Sequence, residues 1–302
     1  MKPFNRALTH AAHGRAALTV VAGLLCLLLL VGCSRVSIAY RTSDLLIEHY
    51  ADDYLGLDSS QLADWRPALR EAVSRHRQEE LPYLARFFDV AYRGAQQGFE
   101  RRRVLCLIDQ FEDIYRRHFS IAAGLAAPLL ADLSRTQINR LEDKFAEEAA
   151  EDVDESPAAV ARRERKRADR YAKAVDWWFG SLSDAQQRII TEVTAAMPDT
   201  ARSWQAYRDG KRRQLIALLE RGAREGEIRR FLRDWLVDYR DLPADLQRAR
   251  GAIRQQIVAL FLRIDASFSA DQRAYFSDRL ASLRDDFLAL QSVPRMANVD
   301  CP

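Results

Sequence analysis

Four times along this 302-residue chain an apolar residue is followed by Asp or Ser and, three residues later, by Gln. The stretches are Leu57-Asp58-Ser59-Ser60-Gln61, Leu133-Ser134-Arg135-Thr136-Gln137, Leu182-Ser183-Asp184-Ala185-Gln186 and Phe268-Ser269-Ala270-Asp271-Gln272. In each, the Asp or Ser oxygen can accept a backbone N–H of a new helical turn while the Gln side chain reaches back to the cap residue, so four helices are expected to begin there. The apolar residue before each cap anchors the turn. A complete hydrophobic staple is present only in the first two, where Leu62 and Ile138 follow the Gln; Gln187 and Arg273 interrupt the others.

The matching stop signals are Gly56 and Gly180, which close "DYLG" and "WWFG" and can adopt the left-handed conformation of a helix C-terminus. Further boundaries fall at Ser156-Pro157, Met197-Pro198-Asp199, Gly222 to Gly226 and Leu242-Pro243. Between them the apolar residues recur at helical spacing, as in Phe276, Leu280, Leu283, Phe287 and Leu290, and in Ile253, Ile257, Leu260 and Ile264. No segment alternates convincingly as a strand. Only 12 Gly and 9 Pro interrupt a chain that is 48% hydrophobic and 29% charged, a globular composition with enough apolar mass for a sizeable core. The expectation is an all-α fold, an irregular multi-helix bundle of amphipathic helices with tight capped turns, forming one domain over residues 44–292 before a tail at 293–302. The boxes are unevenly spaced, which argues against a solenoid.

Around Ser156 an acidic block that includes Glu142, Glu148 and Glu155 meets a basic block that includes Arg162, Arg163 and Arg167. If helices flank the turn as a hairpin, opposite charges face each other along it; the alternative is a basic stripe for lipid headgroups or polyanions. Exposed pairs contribute only about 0 to 1 kcal/mol each, so the blocks would govern pairing and solubility more than stability.

Residues 1–15 carry Lys2, Arg6 and Arg15 with no acid, and residues 16–32 are apolar. That is the layout of a secretory signal. The quartet Leu30-Val31-Gly32-Cys33 resembles the lipobox of bacterial lipoproteins. The resemblance implies a signal peptide (1–32) removed before Cys33, a thioether from the Cys33 sulfur to diacylglycerol, and an acylated new amino terminus. Two or three acyl chains make a stable anchor. Ser34, where Asp would retain an enterobacterial lipoprotein in the inner membrane, implies the outer membrane, periplasmic face. Residues 33–43 are then lipidated Cys and short tether, reaching about 35 Å if extended. Without the three basic residues of the signal, 46 basic become 43, equal to the 43 acidic, so charge offers no argument for a nucleic-acid partner.

Of four cysteines, Cys26 would leave with the signal and Cys33 would carry lipid, leaving Cys106 and Cys301. In an oxidising compartment these are expected to form a disulfide that fastens the tail to the helix around "VLCLIDQF"; the alternative is two unpaired thiols. No Cys or His spacing suggests zinc.

The search for chemistry is short. "DLLIEHYADDY" places Glu48 with Asp52 and His49 with Asp53 at helical spacing, a weak metal or catalytic candidate; the plainer reading is the polar face of an amphipathic helix whose Leu46, Tyr50 and Tyr54 point inward. His76, Arg77, Glu79 and Glu80 before Pro82 read as a charged helix junction. Trp177-Trp178-Phe179 reads as core beside a turn, or else as a contact patch. No phosphate-binding loop, nucleophile elbow or zinc-protease motif is present, so no catalytic, cofactor or metal residue is assigned and no cofactor is expected.

"YRTSDLLIEHYADDYLGLDSSQLADWRPALREAVSRHRQEELPYLARFF" resembles the opening of a proteobacterial lipoprotein family catalogued as domain of unknown function 6279. The likeness is carried by Asp44 to Leu55, Leu57 to Gln61 and His76 to Pro82. It implies an envelope location and an all-helical fold over residues 33 to about 292, and no activity. The L-S-x-x-Q starts are also similar to the LTxxQ signature of Spy-type periplasmic stress chaperones, though this chain is longer and lacks Thr at the second position. The expected function is that of a lipid-anchored, non-enzymatic helical binding or chaperone-like protein with a partner near the membrane. The alternatives are an envelope hydrolase acting on peptidoglycan or lipid, and a small-ligand binder.

Overall fold

The computed structural model describes residues 35–149, 153–299 and 301. The proposed signal peptide and Cys33 lie outside these residues. The chain divides into two units, one ending at Ser43 and one running from Asp44. In the first, α1 (Arg35–Arg41) lies within the segment expected to be a short tether. Seven helical residues span only about 10 Å, so the reach of this segment is less than the extended estimate.

The rest is all helix and turn: α2 (Ser43–Leu55), α3 (Ser59–Glu79), α4 (Leu81–Gln97), α5 (Arg101–Ala131), α6 (Arg135–Glu148), α7 (Pro157–Phe179), α8 (Asp184–Ala195), α9 (Ala201–Glu220), α10 (Glu225–Leu236), α11 (Ala244–Ala266) and α12 (Ala270–Ala289). All four Asp/Ser-to-Gln boxes form with both reciprocal bonds, capping α3, α6, α8 and α12. Gly56 (φ +59°) and Gly180 (φ +83°) take the positive φ that glycine allows, and the preceding helices end there.

Two main apolar clusters share the domain. One gathers Leu55, Trp65 and Leu69 with the C-terminal half of α5 (Ala123, Ala127, Leu130), Ile138 of α6, Leu215 and Leu219 of α9 and Ile228 of α10. The other gathers Val90 and Ala95 of α4 with the N-terminal half of α5 (Val104, Leu107), Phe179, Ile190, Val258, Ile264 and Phe276. Helix α5, 31 residues and about 46 Å long, therefore runs through both cores. A smaller cluster of Tyr207, Leu242 and Leu246 sits under the 237–243 turn. The most extensive helix pairing is α4 with α12, followed by α5 with α10 and α7 with α8.

Two expectations fail. Helices α6 and α7 do not pair as a charged hairpin: α6 packs on α9 and α7 on α8 and α12. The charged blocks find other partners, Glu148 binding Arg212 of α9 at 2.6 Å and Arg163 binding Asp199 at 2.6 Å. Leu46 and Tyr50 also point outward, 49% and 66% exposed; of that trio only Tyr54 is half-buried, hydrogen-bonded to Glu148.

Candidate functional site

The four capped helix starts are joined in two pairs. At the first junction Gln61 Oε1 accepts from its own cap amide, Asp58 N, at 3.1 Å, and Gln137 Oε1 accepts from Ser134 N at 2.9 Å. The two side-chain amides then face each other. Gln137 Nε2 donates to Gln61 Oε1 at 2.6 Å and to Gly56 O at 3.0 Å; Gln61 Nε2 donates to Gln137 Oε1 at 3.3 Å and to Asp132 O at 3.2 Å.

The second junction repeats these four side-chain amide bonds. Gln186 Nε2 donates to Gln272 Oε1 at 2.9 Å and to Ser267 O at 3.3 Å, while Gln272 Nε2 donates to Gln186 Oε1 at 3.0 Å and to Ser181 O at 2.9 Å. In all four cases the amide reaches the carbonyl five residues before the partner Gln, so each junction has a local two-fold relation and the two junctions share one geometry. A buried Gln offers two donors and an acceptor oxygen, and here each Nε2 donates to at least two groups while each Oε1 accepts from at least two. That accounts for Gln186 at 2% exposure.

A groove opens over each junction. The first, about 670 Å³, is lined by the polar groups of Asp58, Ser60, Asp132, Ser134 and Thr136. The second, about 510 Å³, differs in its rim: Phe179 and Tyr275 join Ser183, Ser267 and Ser269 there. Beside it the Arg279 guanidinium sits 3.4 Å over the Trp177 ring and donates to Tyr275 Oη at 2.9 Å. Trp177 is 50% and Tyr275 45% exposed, so an aromatic patch held together by Arg279 stands open to solvent beside the groove. "WWFG" is thus split: Phe179 is core, Trp178 packs against it, and Trp177 faces out.

Residues 53–248 match a family of unknown function, DUF6279. The chain belongs to this family. No curated protein and no solved structure matches it. The DUF6279 match contains Gln61, Gln137 and Gln186 and ends before Gln272, so the family region holds the first junction whole and half of the second.

Also within the DUF6279 region, the "HRQEELP" segment builds a polar crossing between α3 and α5. His76 Nε2 and His118 Nε2 are 2.7 Å apart, and His118 Nδ1 is 2.6 Å from Ile114 O. With Nδ1–H donating to that carbonyl, Nε2 of neutral His118 is the acceptor and His76 Nε2–H the donor. Burial first, and then the facing His118 ring, push His76 down to about 4, against an opposing pull from Glu80. Next to it, buried Glu80 takes both arms of the Arg117 fork at 2.6 and 2.8 Å, and Arg117 lies over the Tyr83 ring. Neither His118 nor Arg117 was singled out from sequence, since partners 42 and 37 residues away leave no local signal.

The remaining candidates separate. Glu48 is gripped by Arg66 at 2.5 and 2.9 Å, and this hydrogen bonding holds its carboxyl below the usual carboxylate range. Asp53 takes Lys144 through its carboxylate at 3.4 Å and Arg140 through its carbonyl at 3.0 Å. Among the described residues no group of three His, Cys, Asp or Glu converges as metal ligands. The structure places the Cys106 and Cys301 sulfurs within bonding distance, with Cα atoms 5.9 Å apart. The tail leading to Cys301 is also held by Ala297 N on Pro82 O at 3.0 Å, by Arg86 on Val299 O and by Arg295 on Gln78 O.

Proposed function

We propose that this DUF6279 protein is a lipid-anchored, non-enzymatic binding protein of the periplasmic face of the outer membrane, chaperone-like in acting through protein contacts. The observation that carries the binding reading is the second junction: a groove lined by the exposed Tyr275, which Arg279 ties to the exposed Trp177 nearby, an aromatic feature that the otherwise similar first junction lacks. Half-exposed Trp and Tyr held by a stacked Arg are the residue types that anchor protein interfaces. The anchor reading rests on the n-region, the apolar run and Leu30-Val31-Gly32-Cys33. In that oxidising compartment Cys106 and Cys301 are a disulfide.

The hydrolase alternative is weaker on its own terms. A general acid needs a raised pKa, whereas Glu48 is held ionised by Arg66 and Glu80 is locked in a bidentate pair. The test is photocrosslinking in cells with a photoreactive residue in place of Tyr275, and separately of Thr136 at the first groove. Discrete protein adducts are expected at position 275 and not at 136. Equal labelling at both, or none at 275, contradicts the assignment of the second groove.

A further inference from the structure

The outward face of α2 is unusual for a helix in a domain of this size. Leu45, Leu46, Ile47 and Tyr50 are 65%, 49%, 39% and 66% exposed, and these four stand among the few large hydrophobic residues that the described chain leaves open to solvent. Scattered exposed leucines need no explanation, but four within six residues of one helix form a patch. At 100° per residue they sweep a broad arc over the first two turns that also carries His49 and closes at the next turn with Asp53, paired to Lys144, and Tyr54, packed on the core, whereas Asp44, Glu48 and Asp52, spaced by fours, line the opposite edge. Glu48 is turned to Arg66 of α3, which fixes the rotation of the helix and leaves the arc facing out.

We infer that this arc seats on the lipid bilayer, as a second membrane contact besides the anchor. The inference rests on the lipid-anchor reading, because what selects lipid as the occupant is the leash: Leu45 lies only twelve residues after Cys33. With α1 helical that stretch spans at most about 30 Å, so acyl chains inserted through Cys33 keep the arc continuously near the surface. The residues suit that place. Leucines and isoleucine enter the boundary of the acyl region, while Tyr50 and His49 keep a polar end at headgroup depth. A seated α2 would also hold the domain at a fixed orientation, where one flexible anchor leaves it free to tumble.

The test uses the full-length lipidated protein, purified from membranes and reconstituted into vesicles of phosphatidylethanolamine and phosphatidylglycerol. A Tyr50→Cys variant carries a nitroxide label, and a Glu71→Cys variant, labelled on the exposed face of α3, is the reference. Collision with oxygen, which concentrates in lipid, and with a water-soluble nickel chelate are read by electron paramagnetic resonance. The expected result at position 50 is several-fold higher oxygen collision and several-fold lower nickel collision than at position 71. Nickel access equal to that at position 71 overturns the inference, leaving the arc in water. Low collision with both reagents also overturns it, because the arc is then covered by protein, such as a second copy of the chain. Sedimentation of the same samples separates the two readings: protein that fails to travel with vesicles contradicts the anchor itself, whereas protein that travels with them while position 50 stays wet contradicts only the seated helix.

Discussion

Acidification should loosen the α3/α5 crossing through one group. His76 is half-buried, donates to His118 Nε2 at 2.7 Å, and is pushed from 6.5 down to about 4 chiefly by burial. Between those values the unfolded chain binds a proton that the folded chain refuses. The stability attached to His76 is therefore fully present above pH 6.5 and is lost as the pH falls toward 4. A displacement of that size corresponds to at most roughly 3 kcal/mol, an upper bound because solvent reaches part of the ring. The physical event is the arrival of a second proton on His76, at Nδ1, which places a positive charge in a largely desolvated crossing facing the His118 ring. His76→Gln removes the titration and keeps an N–H donor for His118. Urea unfolding followed by circular dichroism, at several pH values from above 6.5 to about 4, should show the wild type losing stability relative to the variant as the pH falls. The comparison cancels carboxylates titrating elsewhere, Asp58 and Asp199 among them, whose pKa values are also lowered. Parallel curves for the two proteins would refute the reasoning.

Three further outcomes are expected. Gln186→Ala strips the second junction of its bonds to Gln272, Ser267 and the Ser183 cap amide, and should cost about 2 to 4 kcal/mol in urea unfolding; combined with Gln272→Ala it should be clearly non-additive, and simple additivity would mean that the two amides do not act as a pair. Cys301→Ser opens a closure spanning 195 residues and should lower stability by about 2 to 4 kcal/mol while speeding hydrogen exchange at Ala297, whose amide bonds Pro82 O; unchanged exchange would show that Arg86 and Arg295 hold the tail unaided. Gly94→Ala places a methyl 2.4 Å from the Phe99 ring inside the second core and should lower the melting temperature, at a cost of about 1 to 3 kcal/mol; an unchanged melting temperature would mean that Phe99 moves freely.

The helix boundaries were legible because they are written locally. Cap, Gln and C-terminal Gly all fall within a few residues, and the four boxes, Gly56, Gly180, Ser156-Pro157 and Pro243 stand where the sequence puts them. What the boxes do to one another was not legible. Gln61 and Gln137 are 76 residues apart and Gln186 and Gln272 are 86 apart, so an uneven spacing along the chain hides two equivalent junctions in space. Periodicity identified α2 as amphipathic but carries no information on which face is covered, and Leu46 and Tyr50 were assigned to the wrong side. The charged blocks misled for a related reason: salt bridges are weak enough that packing chooses the helix neighbours, and Glu148 and Arg163 then pair with whatever stands opposite. His118 and Arg117 came to His76 and Glu80 only through the crossing of α3 with α5.

The central claim is that this DUF6279 protein works from a lipid anchor at Cys33. Its most direct test is fractionation of cells producing the wild type or Cys33→Ala, followed by intact mass measurement of the membrane-extracted chain. The wild-type chain should begin at Cys33, carry the added mass of diacylglycerol and an acyl group and sediment with the outer membrane, and the variant should lose both lipid and cleavage before residue 33. A wild-type chain that retains residues 1–32, or has an unmodified Cys33, would contradict the claim.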